Sequence, residues 1–299
     1  MQRRFIFIVN PISGTRGKGS LQDLIKENAT KAGFPFSIFP SVADADYSFL
    51  HDIILQEKIT DVVIGGGDGT VNGVVNNLRS FNLRFGIIPC GSGNGLALSA
   101  GLPKAPAAAL DIIFKGANEM VDAFTVNNRF ACMLCGLGFD AQVAHDFAAD
   151  PNRGLKTYIK QSVKNFFTAK AFPFELEIKG SKMEVEAFFI SIANSNQFGN
   201  NVTIAPQASL SDGLLDIVIV TKQNKLALLL QTLRQVIGFN KLQEVDLVNK
   251  DASVIYFQTD KIRVKNSAEA PMHLDGEPVE TEKKLSVEII KDCFRLIVP

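Results

Sequence analysis

An apolar run that dissolves into glycines and resumes as a helix constrains this chain more than any other feature. In DVVIGGGDGTVNGVV, Asp61 to Val75, the loop Gly65-Gly66-Gly67-Asp68-Gly69-Thr70 separates strand-like Asp61–Ile64 from helix-like Gly73–Arg79. Glycine is costly to order, so four within six residues mark a place where something approaches the backbone closely. Backbone N–H groups in such a loop, with the positive end of the following helix, attract anionic oxygen. A tight structural turn is the alternative reading.

The neighbouring segments repeat the pattern. Strand-like Phe5–Val9, Phe36–Phe39 and Phe85–Pro89 alternate with helix-like Ser20–Gly33, Asp44–Gln56 and a helix from near Asn94 to about Gly101. Such alternation implies βα units and a parallel sheet. Two more glycine loops follow strands: NPISGTRGKG, Asn10 to Gly19, with Arg16 and Lys18, and PCGSGNGLA, Pro89 to Ala97. Open parallel sheets bind ligands beyond the carboxyl ends of their strands. Three phosphate-friendly turns at that end point to a nucleotide, although none has the Walker A or GxGxxG spacing. Arg16 and Lys18 either cover the phosphates or are solvated loop charges.

From Met120 strand-like runs follow one another, among them MEVEAFFISIAN, LLDIVIVT, DKIRVKN and LSVEIIK. Val126–Arg129 and Lys179–Ser181 read as hairpin turns. Helical stretches interrupt at Arg153–Thr168 and Leu226–Gly238. The expected division is an α/β nucleotide-type domain over 1–122, to which residues 293–299 return, and a β-rich domain over 123–292. The cleft between two such domains is the default place for a ligand.

Several classes drop out. The 31 Lys plus Arg equal the 31 Asp plus Glu, so no basic field points to nucleic acid. No apolar run approaches the ~20 residues needed to span a bilayer, and MQRRFIFIVNP is too short an apolar run for a signal peptide. The four cysteines read as reduced and the protein as cytoplasmic. Cys132 and Cys135 form a CxxC among apolar neighbours, which reads as small buried hydrophobes rather than a redox or zinc site. Gly136-Leu-Gly-Phe-Asp-Ala141 satisfies GxGxxA, but the βαβ unit and acidic residue of a dinucleotide site do not follow.

GGGDGTVN together with PCGSGNGLA, NPISG, GLGFDA (136–141), IAPQASLSDGLLD (204–216) and DGEP (275–278) resembles the diacylglycerol kinase catalytic-domain family, the lipid kinases that include sphingosine and ceramide kinases. The resemblance covers nearly the whole chain. It implies an α/β fold: a Rossmann-like, three-layer nucleotide-binding domain of the NAD kinase and diacylglycerol kinase type, followed by a β-sandwich-type second domain. It further implies ATP, with Mg²⁺, and transfer of the γ-phosphoryl group to a lipid hydroxyl. The implied ATP contacts are Asn10, Pro11, Ser13 and Gly14, then Gly66, Gly67, Asp68, Gly69, Thr70, Val71 and Asn72, and Ser92, Gly93 and Asn94. Ser41 is the nearest counterpart of a threonine that usually follows the second strand. A structural Mg²⁺ is implied near Ser209, Asp212 and Leu214, the last through its carbonyl, and the implied general base is Glu277. The third loop departs from the bacterial Gly-Thr-x-Asn-Asp form. It reads Gly91-Ser92-Gly93-Asn94-Gly95, as in sphingosine and ceramide kinases, and leaves the acceptor lipid open.

Phosphoryl transfer depends on positioning and charge neutralisation. Asp68 is the expected carboxylate for the catalytic Mg²⁺, which takes only one or two. Asp275 is expected to orient the hydroxyl or help hold the metal, against the plainer reading of LDGEP as an acidic hairpin turn. Asp140 and Asp146 are weaker candidates for the lipid headgroup. Lys156, Lys160 and Lys164 fall on one helical stripe, followed by Phe166, Phe167, Phe172 and Phe174; this reads either as a surface for anionic lipid or as an ordinary amphipathic helix. Expected partners are therefore a lipid substrate reached peripherally at the inner membrane face, no nucleic acid and, as an open option, a second copy of the chain. Two rivals stand: an NAD kinase-like phosphotransferase, for which ANEM at 117–120 offers an Asn-Glu pair, and a nucleotide-binding regulator without catalysis.

Overall fold

The computed structural model describes residues 2–11, 18–150, 155–199, 202–203, 205–222 and 253–299. The expected helix Leu226–Gly238 and the loop residues Ser13, Gly14 and Arg16 lie outside them. The chain forms two compact units, Met1–Asp122 with Asp292–Pro299, and Ala123–Lys291.

In the first unit the elements run β1 (Phe5–Val9), α1 (Lys18–Lys31), β2 (Phe36–Pro40), α2 (His51–Gln56), β3 (Asp61–Gly66), α3 (Asp68–Leu78), β4 (Arg84–Pro89), α4 (Gly95–Ser99) and α5 (Pro106–Lys115), then β5 (Asn118–Val126). The parallel order is β2-β1-β3-β4, and the end of the last strand, β17 (Lys284–Ile297), joins β4 in parallel at Arg295 and Leu296. Strand β1 is buried along its whole length. Phe5, Phe7, Val9, Val63 and Ile88 pack with Ile25 and Ala29 of α1 and Leu110 and Ile113 of α5. Their alternates Ile6, Ile8, Val62 and Ile64 are equally buried, and α3 lies against β3. Both sheet faces are covered, the three-layer arrangement of a Rossmann-like domain.

Where the structure differs from the sequence reading, glycine is usually the cause. Because glycine reads as a strand breaker, β3 was expected to end at Ile64. It continues through Gly66, with Gly65 opposite Ile88 and Gly66 opposite Pro89. Helix α3 starts at Asp68 instead of Gly73, so a single residue, Gly67, separates strand from helix. The expected helix over 44–56 is a short 3₁₀ turn at Ser48–Leu50 followed by α2. Helix α5 was not anticipated, although Pro106 at its first turn and Gly116 at its C-cap (φ +77°) are ordinary boundary signals.

The second unit contains β6 (Arg129–Ala131), β7 (Leu134–Gly138), α6 (Phe139–Ala149), α7 (Leu155–Thr168), β8 (Phe172–Ile178), β9 (Ser181–Ala193), β10 (Gln197–Gly199), β11 (Val202–Thr203), β12 (Leu215–Thr221), β13 (Val254–Thr259), β14 (Lys261–Lys265), β15 (Met272–Leu274) and β16 (Glu277–Val279). The first half of β9 pairs with β8; its second half lies between β7 and β12. One group of strands, β13-β12-β9-β7-β15-β16, and the other, β9-β8-β14-β17, are thus joined through β9. Their inward side chains share one core, with Leu137, Ile192, Ile217 and Phe257 from the first and Phe174, Leu176, Ile262 and Val287 from the second. Strand β14 alternates exposed and buried residues, as a sandwich strand with one wet face should. Three two-residue hairpins have both central residues at positive φ: Asn127-Asn128 (+48°, +69°), Lys179-Gly180 (+48°, +82°) and Asp275-Gly276 (+48°, +83°). This is the type I′ geometry that matches strand twist. No helix among the described residues is long and apolar enough to cross a membrane.

The amino-terminal edge of the parallel sheet is tied by a buried carboxylate. Asp61, fully buried, accepts hydrogen bonds from Arg3 at 2.6 Å, Arg84 at 2.8 Å and the Thr60 hydroxyl at 2.6 Å. Arg3 also donates to the Ile113 and Phe114 carbonyls at the end of α5. Removing one partner of a buried pair costs about 3–5 kcal/mol because the other charge is left uncompensated. Asp61→Ala should lower stability by an amount in that range, read from the shift of the urea unfolding midpoint.

Candidate functional site

At the carboxyl edge of the first unit the ends of β1, β2, β3 and β4 stand in register: Val9 lies opposite both Pro40 and Gly65, and Gly66 lies opposite Pro89. Asn10 and Ser41 therefore stand level with Gly66 and Pro89, and the turns through Gly67 and Gly91 begin just beyond them. The chain leaves β1 towards β2 on one side and β3 lies on the other, so the strand order diverges at β1/β3, where open sheets place ligands. The Asn10 side chain bridges that divergence, donating to the Thr70 hydroxyl at 2.8 Å. The Asn10 N–H donates to Gly65 and the Ser41 N–H to Val9.

The glycines have a packing reason. A Cβ on Gly91 would stand 2.4 Å from the Gly67 Cα, and one on Gly66 would stand 2.8 Å from the Thr70 Cβ. The turns after β3 and β4 thus meet backbone to backbone. Asn94, buried and left-handed at φ +57°, braces the second turn: its amide oxygen accepts the Gly91 N–H and its amide nitrogen donates to the Gly91 carbonyl, both at 2.7 Å. Asp68 is half-buried in the first turn of α3, where a carboxylate is favoured by the helix dipole. Gly69, Thr70, Val71 and Asn72 continue that helix, with Val71 buried. Ser92 is exposed, Gly93 partly so, and Pro11 is exposed beside Asn10. The Asn118–Glu119 pair opens β5, with Asn118 donating to the Gly116 carbonyl.

In the second unit the two acids of DGE point in different directions. Asp275 is buried: one oxygen accepts the Met133 and Leu134 N–H groups at 2.9 and 3.0 Å, the other the Cys132 N–H at 2.9 Å. The carboxylate expected to orient a hydroxyl or hold metal is thus turned onto the 132–134 backbone, and these contacts are those of a turn anchor. Glu277, the first residue of β16, is exposed. The CxxC thiols are buried and not joined as a disulfide; the Cys132 thiol donates to Asp275, and burial pushes the Cys135 thiol up. In the GxGxxA segment, a Cβ on Gly138 (φ +92°) would meet the Phe188 carbonyl oxygen at 2.4 Å. These glycines serve close strand packing.

Asp140, expected at a headgroup, is buried in the first turn of α6; one oxygen accepts the Ala141 N–H and the other faces His273. His273 escaped the sequence reading, its only signal being a histidine between Met272 and Leu274 just before the hairpin. Asp146 holds α7: it accepts from Gln142, Asn165 at 3.1 Å and Lys164 at 3.3 Å. Partial burial pushes its pKa up, but these hydrogen bonds win and hold it below the usual carboxylate range. Among the described side chains of α7, Thr157, Gln161 and Asn165 are buried, and Gln161 donates to Asp150. Of the expected lysine stripe, Lys160 is exposed, Lys164 is paired, and the side chains of Lys156, Phe166 and Phe167 lie outside the described residues.

The 209–214 turn offers oxygen donors of the kind hard cations take. The Asp212 carboxylate is exposed and shapes the turn by accepting the Leu214 N–H at 3.0 Å, Ser209 Oγ accepts the Ser211 N–H, and Gly213 sits at φ +72°. Among the described residues no three His, Cys, Asp or Glu side chains converge as a metal centre. A cation here would rest on one carboxylate, backbone carbonyls and water. Nearby Asp216, also missed in the sequence, is fully buried; burial pushes its carboxyl up to about 6 against hydrogen bonds from Tyr256 and Gln258.

Comparison with known proteins gives the same two halves. Residues 4–126 match the family model described as diacylglycerol kinase catalytic domain, and residues 134–298 match that of the YegS C-terminal NAD kinase beta sandwich-like domain. A diacylglycerol kinase of Staphylococcus aureus is 27% identical over 93% of this chain and 87% of its own. A probable lipid kinase, YegS-like, of Chromohalobacter salexigens is 29% identical over 75% of this chain and 71% of its own. The crystal structure of a putative diacylglycerol kinase from Bacillus anthracis superposes with a TM-score of 0.79 over 99% of this chain and 97% of that one, at 22% identity, a likeness of fold.

Two substitutions separate packing from chemistry. Gly91→Ala forces a Cβ onto backbone and should cost about 1–3 kcal/mol, the usual penalty of overpacking, measured by urea denaturation. Asp275→Asn keeps the left-handed turn residue but removes one of two acceptor oxygens. It should destabilise by about 1–3 kcal/mol, the cost of a buried donor left unpaired, and hydrogen exchange at Cys132 to Leu134 should accelerate.

Proposed function

Because the chain belongs to the diacylglycerol kinase catalytic-domain family of lipid kinases, we propose that it transfers the γ-phosphoryl group of ATP to the hydroxyl of a lipid. The observation that carries this reading is the placement of Asn10, Gly67 to Thr70 and Gly91 to Asn94 along one carboxyl sheet edge. There Cβ-free backbone and the α3 N-terminus suit a polyphosphate.

In this reading the first unit binds ATP through Asn10, Gly66 to Asn72 and Ser92, with Ser41 beside the same edge. Mg²⁺, when bound with Asp68 as its carboxylate, would neutralise phosphate charge. Ser209, Asp212 and the Leu214 carbonyl would hold a second, structural cation. Glu277 takes the proton of the lipid hydroxyl as its oxygen attacks the γ-phosphorus, while the bond to the leaving ADP oxygen breaks. Exposure of Glu277 supports this assignment, since a general base must be reachable by its substrate. A lipid acceptor requires peripheral contact with a membrane surface.

The test is transfer of labelled γ-phosphate, with Mg²⁺, to micellar diacylglycerol, monoacylglycerol, sphingosine and ceramide, with NAD in parallel. One lipid should take the label, and Glu277→Gln should lower kcat by about 10²–10⁴-fold with the KM for ATP little changed. Label in NAD alone would move the protein to the NAD kinase reading, and ATP binding without transfer to any acceptor would favour a regulator.

A further inference from the structure

We propose that His273 is a positioning residue for Glu277: buried against Asp140, it holds the Asp275-Gly276 turn from below and fixes how Glu277 is presented. This rests on the lipid-kinase reading, which gives Glu277 a hydroxyl to meet.

The pair is built from two distant segments. His273 is the middle residue of β15 and lies directly opposite Gly136 of β7. Its ring passes over that glycine: a Cβ at 136 would stand 2.3 Å from His273 Nε2 and 2.2 Å from Asp140 Oδ2. The Gly276 N–H donates to His273 Nδ1 at 3.3 Å, so in the neutral ring Nε2 carries the hydrogen. That nitrogen faces Asp140 Oδ2 at 3.6 Å, with the two side chains 3% and 6% exposed. No hydrogen-bond donor reaches this Oδ2 among the described residues, whereas Oδ1 accepts the Ala141 N–H at 2.8 Å. A buried carboxylate oxygen whose nearest partner is one imidazole is costly to keep. The contact lies just beyond hydrogen-bond length, and such contacts often tighten only when substrate is bound.

The consequence falls on the hairpin. Asp275 is held by three backbone N–H groups of the 132–134 segment, and Gly276 is held by His273. With both turn residues fixed, the Cα–Cβ direction of Glu277 is fixed as well. Losing the His273 contact leaves Glu277 chemically intact but poorly aimed, and a misplacement of about 1 Å costs ~10²-fold in rate. The same geometry explains why Gly136 and Asp140 of GLGFDA accompany HLDGE in this chain: they are two sides of one support.

The experiment compares His273→Ala, His273→Gln and His273→Asn with the wild type, alone and with Glu277→Gln, using the acceptor that the wild type labels. Asn can place its amide oxygen where Nδ1 accepts the Gly276 N–H; Gln reaches only towards Asp140. Expected are a kcat about 10–100-fold lower for Ala and Gln, an unchanged KM for ATP, and substantial recovery in Asn. In the Glu277→Gln background the Ala and Gln changes should cost nothing further. Full kcat in His273→Gln, equal losses in Gln and Asn, or losses that multiply with Glu277→Gln would each overturn the proposal while leaving the kinase reading intact. A wild type that labels no acceptor would overturn both.

Discussion

The carboxyl edge of the first unit depends on two backbones touching where neither carries a side chain. Gly67 and Gly91 meet at a separation that a single Cβ would close to 2.4 Å. The turn after β3 is the single residue Gly67, so α3 begins one position beyond the sheet, against the turn that follows β4. The Asn94 bridge within the second turn and the Asn10–Thr70 bond across the strand divergence then lace three consecutive strand ends together. The edge they form is backbone, amide and hydroxyl, without bulk. An anion can approach such a surface, and an apolar ligand gains little from it.

A second regularity is how the carboxylates divide. Asp61, Asp216 and Asp275 are buried and answered, by two guanidinium groups, by a phenol and an amide, and by three peptide N–H groups respectively. Asp146 and Asp150 are engaged by α7. Asp68 at a helix start and Glu277 at a strand start keep solvent-accessible positions. A carboxylate already saturated by its own fold has little capacity for a substrate. Position in a motif does not separate these roles, since Asp275 and Glu277 are two residues apart.

The α/β character of the first unit and the β-rich character of the second were legible because they are written in local periodicity: alternating strand and helix patterns first, then strand after strand with turn residues between; the Rossmann-like and sandwich architectures were implied by the family resemblance. The hairpins at Asn127-Asn128 and Lys179-Gly180 were legible for the same reason, each needing positive φ at two small or polar positions. What escaped was set by partners far along the chain. Gly65 and Gly66 belong to a strand only because β4 and β1 hydrogen-bond to them. The three N–H groups that turn Asp275 inward lie some 140 residues away. His273 gains its meaning from Gly136, a glycine whose missing side chain leaves room for the ring.

Helix α7 carries two four-residue stripes, one position apart, with opposite surroundings. Lysines at i, i+4 and i+8 suggest a solvated charged side, with the helix held through its apolar residues. The described lysines keep to that side, Lys160 and Lys164 both being exposed. Among the described side chains Thr157, Gln161 and Asn165 are buried, and the bonds of the last two go to Asp146 of α6 and to Asp150 just beyond it, with Lys164 adding an ion pair. Hydrogen bonds to charged groups hold direction well but contribute only about 1.5–3 kcal/mol each, and exposed pairs less. The four-residue spacing that seemed to describe a surface therefore also describes the seam, because side chains at i and i+4 stack on whichever face the hydrogen-bonding partners select.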